Sequence, residues 1–170
     1  MNEKSIKVNG VNIRWLEMGS GFPVVFIHGL PTSPELWRNV IPSLTNKKRI
    51  AWEMVGYGAS IEEGRSRDIS VGSQAAYLAS WLDAMNMDKV VLVGHDLGGG
   101  VAQIIATLRP QVVKGLILIN SICYDSWPIP RVKAFRALGP IATQFPNAAV
   151  KIALQGFLYE VSTRPTTSWN

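Results

Sequence analysis

The sequence predicts an α/β protein: a mostly parallel sheet with helices on both faces. Three observations predict it. Continuous apolar runs of strand length recur along the chain, stretches with helical spacing separate them, and glycines stand where the runs end.

Val8 to Gly10 and Val11 to Met18 read as two short strands around Asn9-Gly10, a hairpin turn whose residues both tolerate positive φ. Gly19-Ser20-Gly21 is a loop. Pro23 to Ile27 is apolar throughout, the pattern of a strand buried on both faces, and it stops at His28-Gly29-Leu30-Pro31. Ser33 and Pro34 read as the N-cap and first residue of a crossover helix, with Trp37, Val40, Ile41 and Leu44 on one face. Arg49 to Met54 is the next strand, followed by Gly56-Tyr57-Gly58 and a polar loop from Ile61 to Asp68. A long helix is expected after Ser70, because Val71, Ala75, Leu78, Leu82 and Met85 recur at helical spacing and Trp81 joins them. Lys89 to Val93 is a strand. Gly98 to Leu108 is a helix with Val101, Ile104, Ile105 and Leu108 on one side, closed by Pro110, and Val112 to Asn120 is a further strand. An opening hairpin followed by alternating strands and helices is what a parallel sheet with right-handed crossovers requires. Beyond Asn120 the character changes: Trp127-Pro128-Ile129-Pro130 breaks the chain, and two apolar helical stretches, Val132 to Leu138 and Ala148 to Leu158, follow with no strand between them.

The 170 residues are 47% apolar, enough for one hydrophobic core without metals or disulfides and too few for a second full domain. No apolar stretch approaches the roughly 18 to 20 residues that span a bilayer. The charged start Met1 to Lys7 lacks the apolar segment of a secretory signal, so a soluble, cytoplasmic protein is expected. Cys123 is the single cysteine, which excludes an internal disulfide and a cysteine-based zinc cage, and no metal or cofactor is expected. The net charge of +5 comes mainly from residues 110–170, which hold 6 basic and 2 acidic side chains against 11 and 10 in residues 1–109. Arg131, Lys133 and Arg136 are interspersed with apolar residues and form no dense basic run, so a solvated face, and not nucleic-acid binding, is the expectation.

Gly94-His95-Asp96-Leu97-Gly98-Gly99 joins a predicted strand to a predicted helix. Small residues on either side of Asp96 allow a sharp, strained turn that lifts its side chain above the carboxyl ends of the strands. There the backbone N–H groups at the start of the helix favour a negative charge. The same carboxylate could instead serve merely as the N-cap of that helix.

This elbow, with His28-Gly29-Leu30-Pro31 after one buried strand and Gly56-Tyr57-Gly58 after the next, resembles the α/β-hydrolase superfamily. Within it, Asp at the elbow and the His-Gly-x-Pro segment are similar to epoxide hydrolases and haloalkane dehalogenases. The stretch His28 to Val40 resembles the dehalogenases in particular. The resemblance runs from about residue 10 to 122. It implies the N-terminal part of an α/β-hydrolase fold, a six-stranded core over residues 1–122 and the opening of a helical cap over 123–170. It also implies Asp96 as nucleophile, which suits attack on a saturated carbon: an enzyme ester forms, and water then cleaves it at its carbonyl. The oxyanion of that second step would be held by the backbone N–H groups of Leu30 and Leu97. His28, Gly29, Pro31, Gly94, His95, Gly98 and Gly99 shape the turns, and Glu53 at a strand end is expected to organise a loop.

The pattern breaks in two places. The halide-binding side-chain donors of the dehalogenases would fall at Leu30 and Leu97, neither of which can donate a hydrogen bond. That favours an epoxide hydrolase-like reaction on a small apolar organic substrate plus water. A cap residue such as Trp127 could still supply a halide donor. The epoxide hydrolases this chain resembles protonate the epoxide oxygen with cap tyrosines; Tyr124 and Tyr159 stand in that region, packing being the simpler role for both. The water-activating histidine and its acid are also missing: His28 and His95 are the only histidines, and Asn120 stands where some relatives carry the acid. The remaining reading, from another class, is a truncated, non-catalytic α/β protein whose last strand is an open edge.

Overall fold

Asn9 and Gly10 both adopt positive φ, 49° and 80°, and close the hairpin between β1 (Asn2–Val8) and β2 (Val11–Met18). The first strand is therefore longer than expected and lies before Asn9; it is polar because it is an edge, where charged side chains discourage pairing with other chains. Four parallel strands follow: β3 (Phe22–Ile27), β4 (Lys47–Trp52), β5 (Val90–His95) and β6 (Val113–Ile119). The sheet order is β1-β2-β4-β3-β5-β6, with β2 antiparallel to β4. The computed structural model describes residues 1–123 continuously and, beyond them, Pro128, Lys133, Ala137 and Gln155. The chain divides into two compact units, Met1–Tyr124 and Asp125–Asn170, and the sheet belongs to the first. Tyr124, Trp127, Tyr159 and most of the two apolar stretches after Asn120 lie outside the described residues.

The two faces of the sheet are covered differently. Val24 and Phe26 of β3, Ala51 of β4 and Val93 of β5 form one cluster with Trp37 and Ile41. Side chains alternate along a strand, so Val25, Ile27, Ile50, Trp52 and Leu92, all buried, face the other way. There Trp15, paired across the sheet with Trp52, meets Trp81 edge-on at 5.3 Å. Trp81 belongs to α2 (Val71–Ala84), which begins at Ser70 with the Ser73 N–H donating to its hydroxyl, as the sequence predicts. α3 (Leu97–Leu108) packs beside α2 and buries Val101, Ala102 and Ile105, while Leu108 is 74% exposed. The helical face thus turns away from the expected Leu108 and toward Ala102.

The predicted first crossover helix is not an α-helix. Ser33 caps the segment and Pro34 opens it as expected, yet the chain forms two 3₁₀ turns, Pro34–Trp37 and Ile41–Ser43. Pro42 is the reason: it lacks the N–H that an α-helix would need there and disfavours helical geometry at Ile41. Trp37 and Ile41 are buried, whereas Val40 and Leu44, expected on the same face, are 46% and 38% exposed. A second correction falls in the expected polar loop, where a 3₁₀ turn, Gly58–Ser60, leads into one turn of α-helix, α1 (Ile61–Gly64). β4 also ends two residues early, because the Met54 N–H donates to a histidine ring, not to a neighbouring strand.

β3 sits between β4 and β5, so the chain leaves β3 toward one neighbour and later returns on its other side. The strand order reverses at this point. In open parallel sheets the crevice beyond the carboxyl ends at such a reversal is where ligands bind. His28 to Pro31 leave the end of β3 there, and Asp96 follows β5.

Candidate active site

Asp96 has φ 52° and ψ −118°, a combination rarely adopted by a residue with a Cβ. Such strain, of order 1–3 kcal/mol, persists only where the surroundings impose it. Here they do: the Asp96 N–H donates to Ile119 O at 3.2 Å, while Asp96 O accepts from the N–H groups of Gly99 (3.0 Å) and Ile122 (3.3 Å). Although Asp96 occupies the N-cap position of α3, its side chain makes no capping bond. Its Oδ2 instead accepts a hydrogen bond from the Leu30 N–H at 2.8 Å. The N–H of Leu97, the first residue of α3, has no hydrogen-bond acceptor among the described residues.

Close approach explains two of the glycines. A Cβ on Gly98 would collide with the carbonyl oxygens of both Ile27 and His28, at the end of β3. A Cβ on Gly29 would lie 2.5 Å from Asp96 Oδ2, so the carboxylate fills the space a side chain would take. Gly94 meets Gly98 and Gly99 equally tightly across the elbow. The Leu30–Pro31 peptide is cis. Thr32, which sequence reasoning passes over, ties the turn: its hydroxyl donates to Gly29 O at 2.8 Å, and its N–H reaches the same oxygen at 3.0 Å.

His28 is fully buried. Its Nε2 accepts from the Met54 N–H at 3.1 Å, which makes Nδ1 the protonated nitrogen, donating to Gly29 O at 3.0 Å. Both nitrogens are committed to joining the β3 and β4 loops. Burial, above all, and the neighbouring His95 hold the imidazole down to about 4, against the opposing effect of the Gly29 bond. Protonation therefore favours the unfolded chain, in which the imidazole titrates near 6.5. This contribution to stability is complete above pH 6.5 and is lost as the pH falls from there toward 4, roughly 2 to 3 kcal/mol of it by pH 4.5. Urea unfolding at pH 7.5, 5.5 and 4.5 is expected to show that decline; equal stability at all three would mean that His28 is not buried as a neutral ring.

His95 is half-buried, and its Nδ1 is buried without a hydrogen-bond partner. Glu53 is buried at the end of β4, where it accepts from Ser60 Oγ (2.5 Å) and the Ala59 N–H (3.3 Å) and pairs with Arg14 Nε at 3.4 Å. It thereby holds the loop that carries Tyr57. The structure brings His28, Gly29, Leu30, Gly94, Asp96, Leu97, Gly98 and Gly99 together at one end of the sheet. Asn120 follows β6 with φ 43°. Among the described residues no group of three or more His, Cys, Asp or Glu could hold a metal, and no helix is long and apolar enough to cross a membrane.

Residues 23–164 match the alpha/beta hydrolase fold family. Among similar proteins, the 2-hydroxy-6-oxo-6-(2'-aminophenyl)hexa-2,4-dienoic acid hydrolase of Metapseudomonas resinovorans is 37% identical over 70% of this chain and 42% of its own length. The soluble epoxide hydrolase of Corynebacterium sp. (strain C12) is 34% identical over 72% of this chain and 44% of its own. The crystal structure of haloalkane dehalogenase DbeA from Bradyrhizobium elkani USDA94 superposes with a TM-score of 0.64, at 33% identity, over 71% of this chain and 42% of that one. The chain thus spans less than half the length of the curated relatives described here.

Proposed function

The chain belongs to the alpha/beta hydrolase fold family, and we propose that it carries the nucleophilic half of a hydrolase that opens epoxides through an ester on Asp96. The observation that carries this reading is the Leu30 N–H bond to Asp96 Oδ2 at 2.8 Å, together with the absence of any capping bond from that side chain. The elbow holds the carboxylate away from its own helix and against a backbone donor. One oxygen is steadied by Leu30, and the other is the one that attacks a saturated carbon. When water later attacks the ester carbonyl, the backbone N–H groups of Leu30 and Leu97 are the donors for the charge that develops on oxygen. The substrate is a small, largely apolar organic molecule, in keeping with the exposed apolar side chain of Leu30, whose N–H meets Asp96.

Carbon–halogen cleavage is the second reading, favoured by the likeness to haloalkane dehalogenases. It is the weaker one, because the side chains of Leu30 and Leu97 offer a departing halide no hydrogen bond. Cleavage of the ester needs an activated water. Of the two histidines in these 170 residues, His28 has both nitrogens bonded and His95 sits within the elbow itself. The chain by itself is therefore expected to form the ester and keep it.

Incubation with styrene oxide followed by intact-mass and peptide mass spectrometry tests this directly. The expected result is a stoichiometric gain of one epoxide mass on the peptide containing Asp96. An unchanged mass would leave the reading from the other class, an α/β domain without this chemistry that at most holds small apolar ligands.

A further inference from the structure

One peptide group carries the hydrogen bond to Asp96. Its N–H is that of Leu30, which meets Asp96 Oδ2 at 2.8 Å, and its carbonyl is that of Gly29. Three donors converge on this carbonyl oxygen: the Thr32 hydroxyl at 2.8 Å, the Thr32 N–H at 3.0 Å and His28 Nδ1 at 3.0 Å. A carbonyl oxygen has two lone pairs, so this one is fully engaged. Each hydrogen bond drawn to the carbonyl end of an amide polarises the whole group and makes its N–H a stronger donor. The Thr32 hydroxyl also accepts from the Gly29 N–H at 3.3 Å. It thus holds both peptides that flank Gly29, the residue type with the greatest backbone freedom. No side chain at position 29 could do so itself, because a Cβ there would lie 2.5 Å from Asp96 Oδ2.

Resting on the reading of Asp96 as nucleophile, we infer that Thr32 is a positioning residue that aims and polarises the Leu30 N–H, and that it serves cleavage of the Asp96 ester and not its formation. The two steps ask opposite things of that N–H. As the ester forms, Asp96 Oδ1 bonds to the substrate carbon and the carboxylate loses its charge, so a strong donor on Oδ2 restrains the attack. In the ester, Oδ2 is the carbonyl oxygen. When a nucleophile adds to the carbonyl carbon, the C=O electron pair moves onto Oδ2, and the same donor binds the transition state better than the ester. A group that strengthens the donor therefore speeds only the second step.

Hydroxylamine supplies that step without an activating base. Its nitrogen adds to the ester carbonyl, the electron pair on Oδ2 then re-forms the C=O bond, and the substrate leaves as an alcohol with the proton that nitrogen gives up. A hydroxamate remains on Asp96. The wild-type chain, Thr32→Val and Thr32→Ser are labelled with styrene oxide and then treated with hydroxylamine, both steps being timed by peptide mass spectrometry. The expected result is ester cleavage about fivefold slower in Thr32→Val, labelling no slower than in the wild type, and cleavage restored in Thr32→Ser. Thr32→Ala, which loses the same hydroxyl, should match Thr32→Val. Equal slowing of both steps would overturn the inference, since Thr32 would then merely shape the turn. Wild-type cleavage rates in Thr32→Val and Thr32→Ala would overturn it as well, as would a Thr32→Ser chain that cleaves no faster than they do. In each of those cases Asp96 stands as nucleophile. If styrene oxide leaves Asp96 of the wild-type chain unlabelled, the nucleophile reading itself fails, and this inference with it.

Discussion

Asp96→Asn is expected to abolish ester formation while leaving the chain folded. The amide has no anionic oxygen to attack carbon, and loss of a nucleophile costs about 10⁴-fold or more. The fold survives because Asn keeps the acceptor that the structure uses. Its Oδ1 can take the Leu30 N–H, and the backbone bonds that hold residue 96 to Ile119, Gly99 and Ile122 do not involve the side chain. Asn also tolerates positive φ at least as well as Asp. The check is paired: Asp96→Asn should unfold in urea at a midpoint close to that of the wild type and should gain no mass from styrene oxide. Residual labelling on the same peptide would move the nucleophile elsewhere.

Gly98→Ala should be the most damaging single methyl in the described chain. The new Cβ meets the backbone carbonyl oxygens of Ile27 and His28, and neither is the flexible end of a side chain. Either α3 moves away from β3 or the elbow opens, and overpacking of this kind costs about 3 kcal/mol. Gly10→Ala makes the comparison. Nothing lies within 4 Å of its Cβ, and only the positive φ of 80° resists, a cost of about 1 kcal/mol. Urea denaturation of both variants should rank them in that order. Near-equal stabilities would show that the elbow accommodates a side chain, and with it that Asp96 is less firmly placed than the structure implies.

The placement of Tyr57 shows where reading the chain stops. Gly56-Tyr57-Gly58 is plain in the sequence as a strand end, but nothing in its spacing connects it to the His28 ring that it meets. Parallel pairing of β3 with β4 supplies the connection by bringing the loops after the two strands together. Thr32 escaped for a similar reason, because a threonine after His-Gly-Leu-Pro looks like any loop residue until its hydroxyl is seen on Gly29 O. The first crossover misled for a local reason: Trp37, Val40, Ile41 and Leu44 have helical spacing, and Pro42 denies the segment the hydrogen bonds that the spacing would need.

The sequence by itself determined the fold class, the order of the strands along the chain and the elbow with Asp96 at its apex, because each depends on local chemistry. Apolar runs bury, Ser and Pro open helical segments, and Gly and Asn permit the tight turns. Whether Asp96 caps its helix or turns toward Leu30 was open to either answer from local chemistry, since an aspartate before a helix satisfies both. Only the tertiary structure decided it. Parallel pairing of β3 with β5 brings the Leu30 N–H to within 2.8 Å of the carboxylate, and the strained backbone at residue 96 turns the side chain away from its own helix.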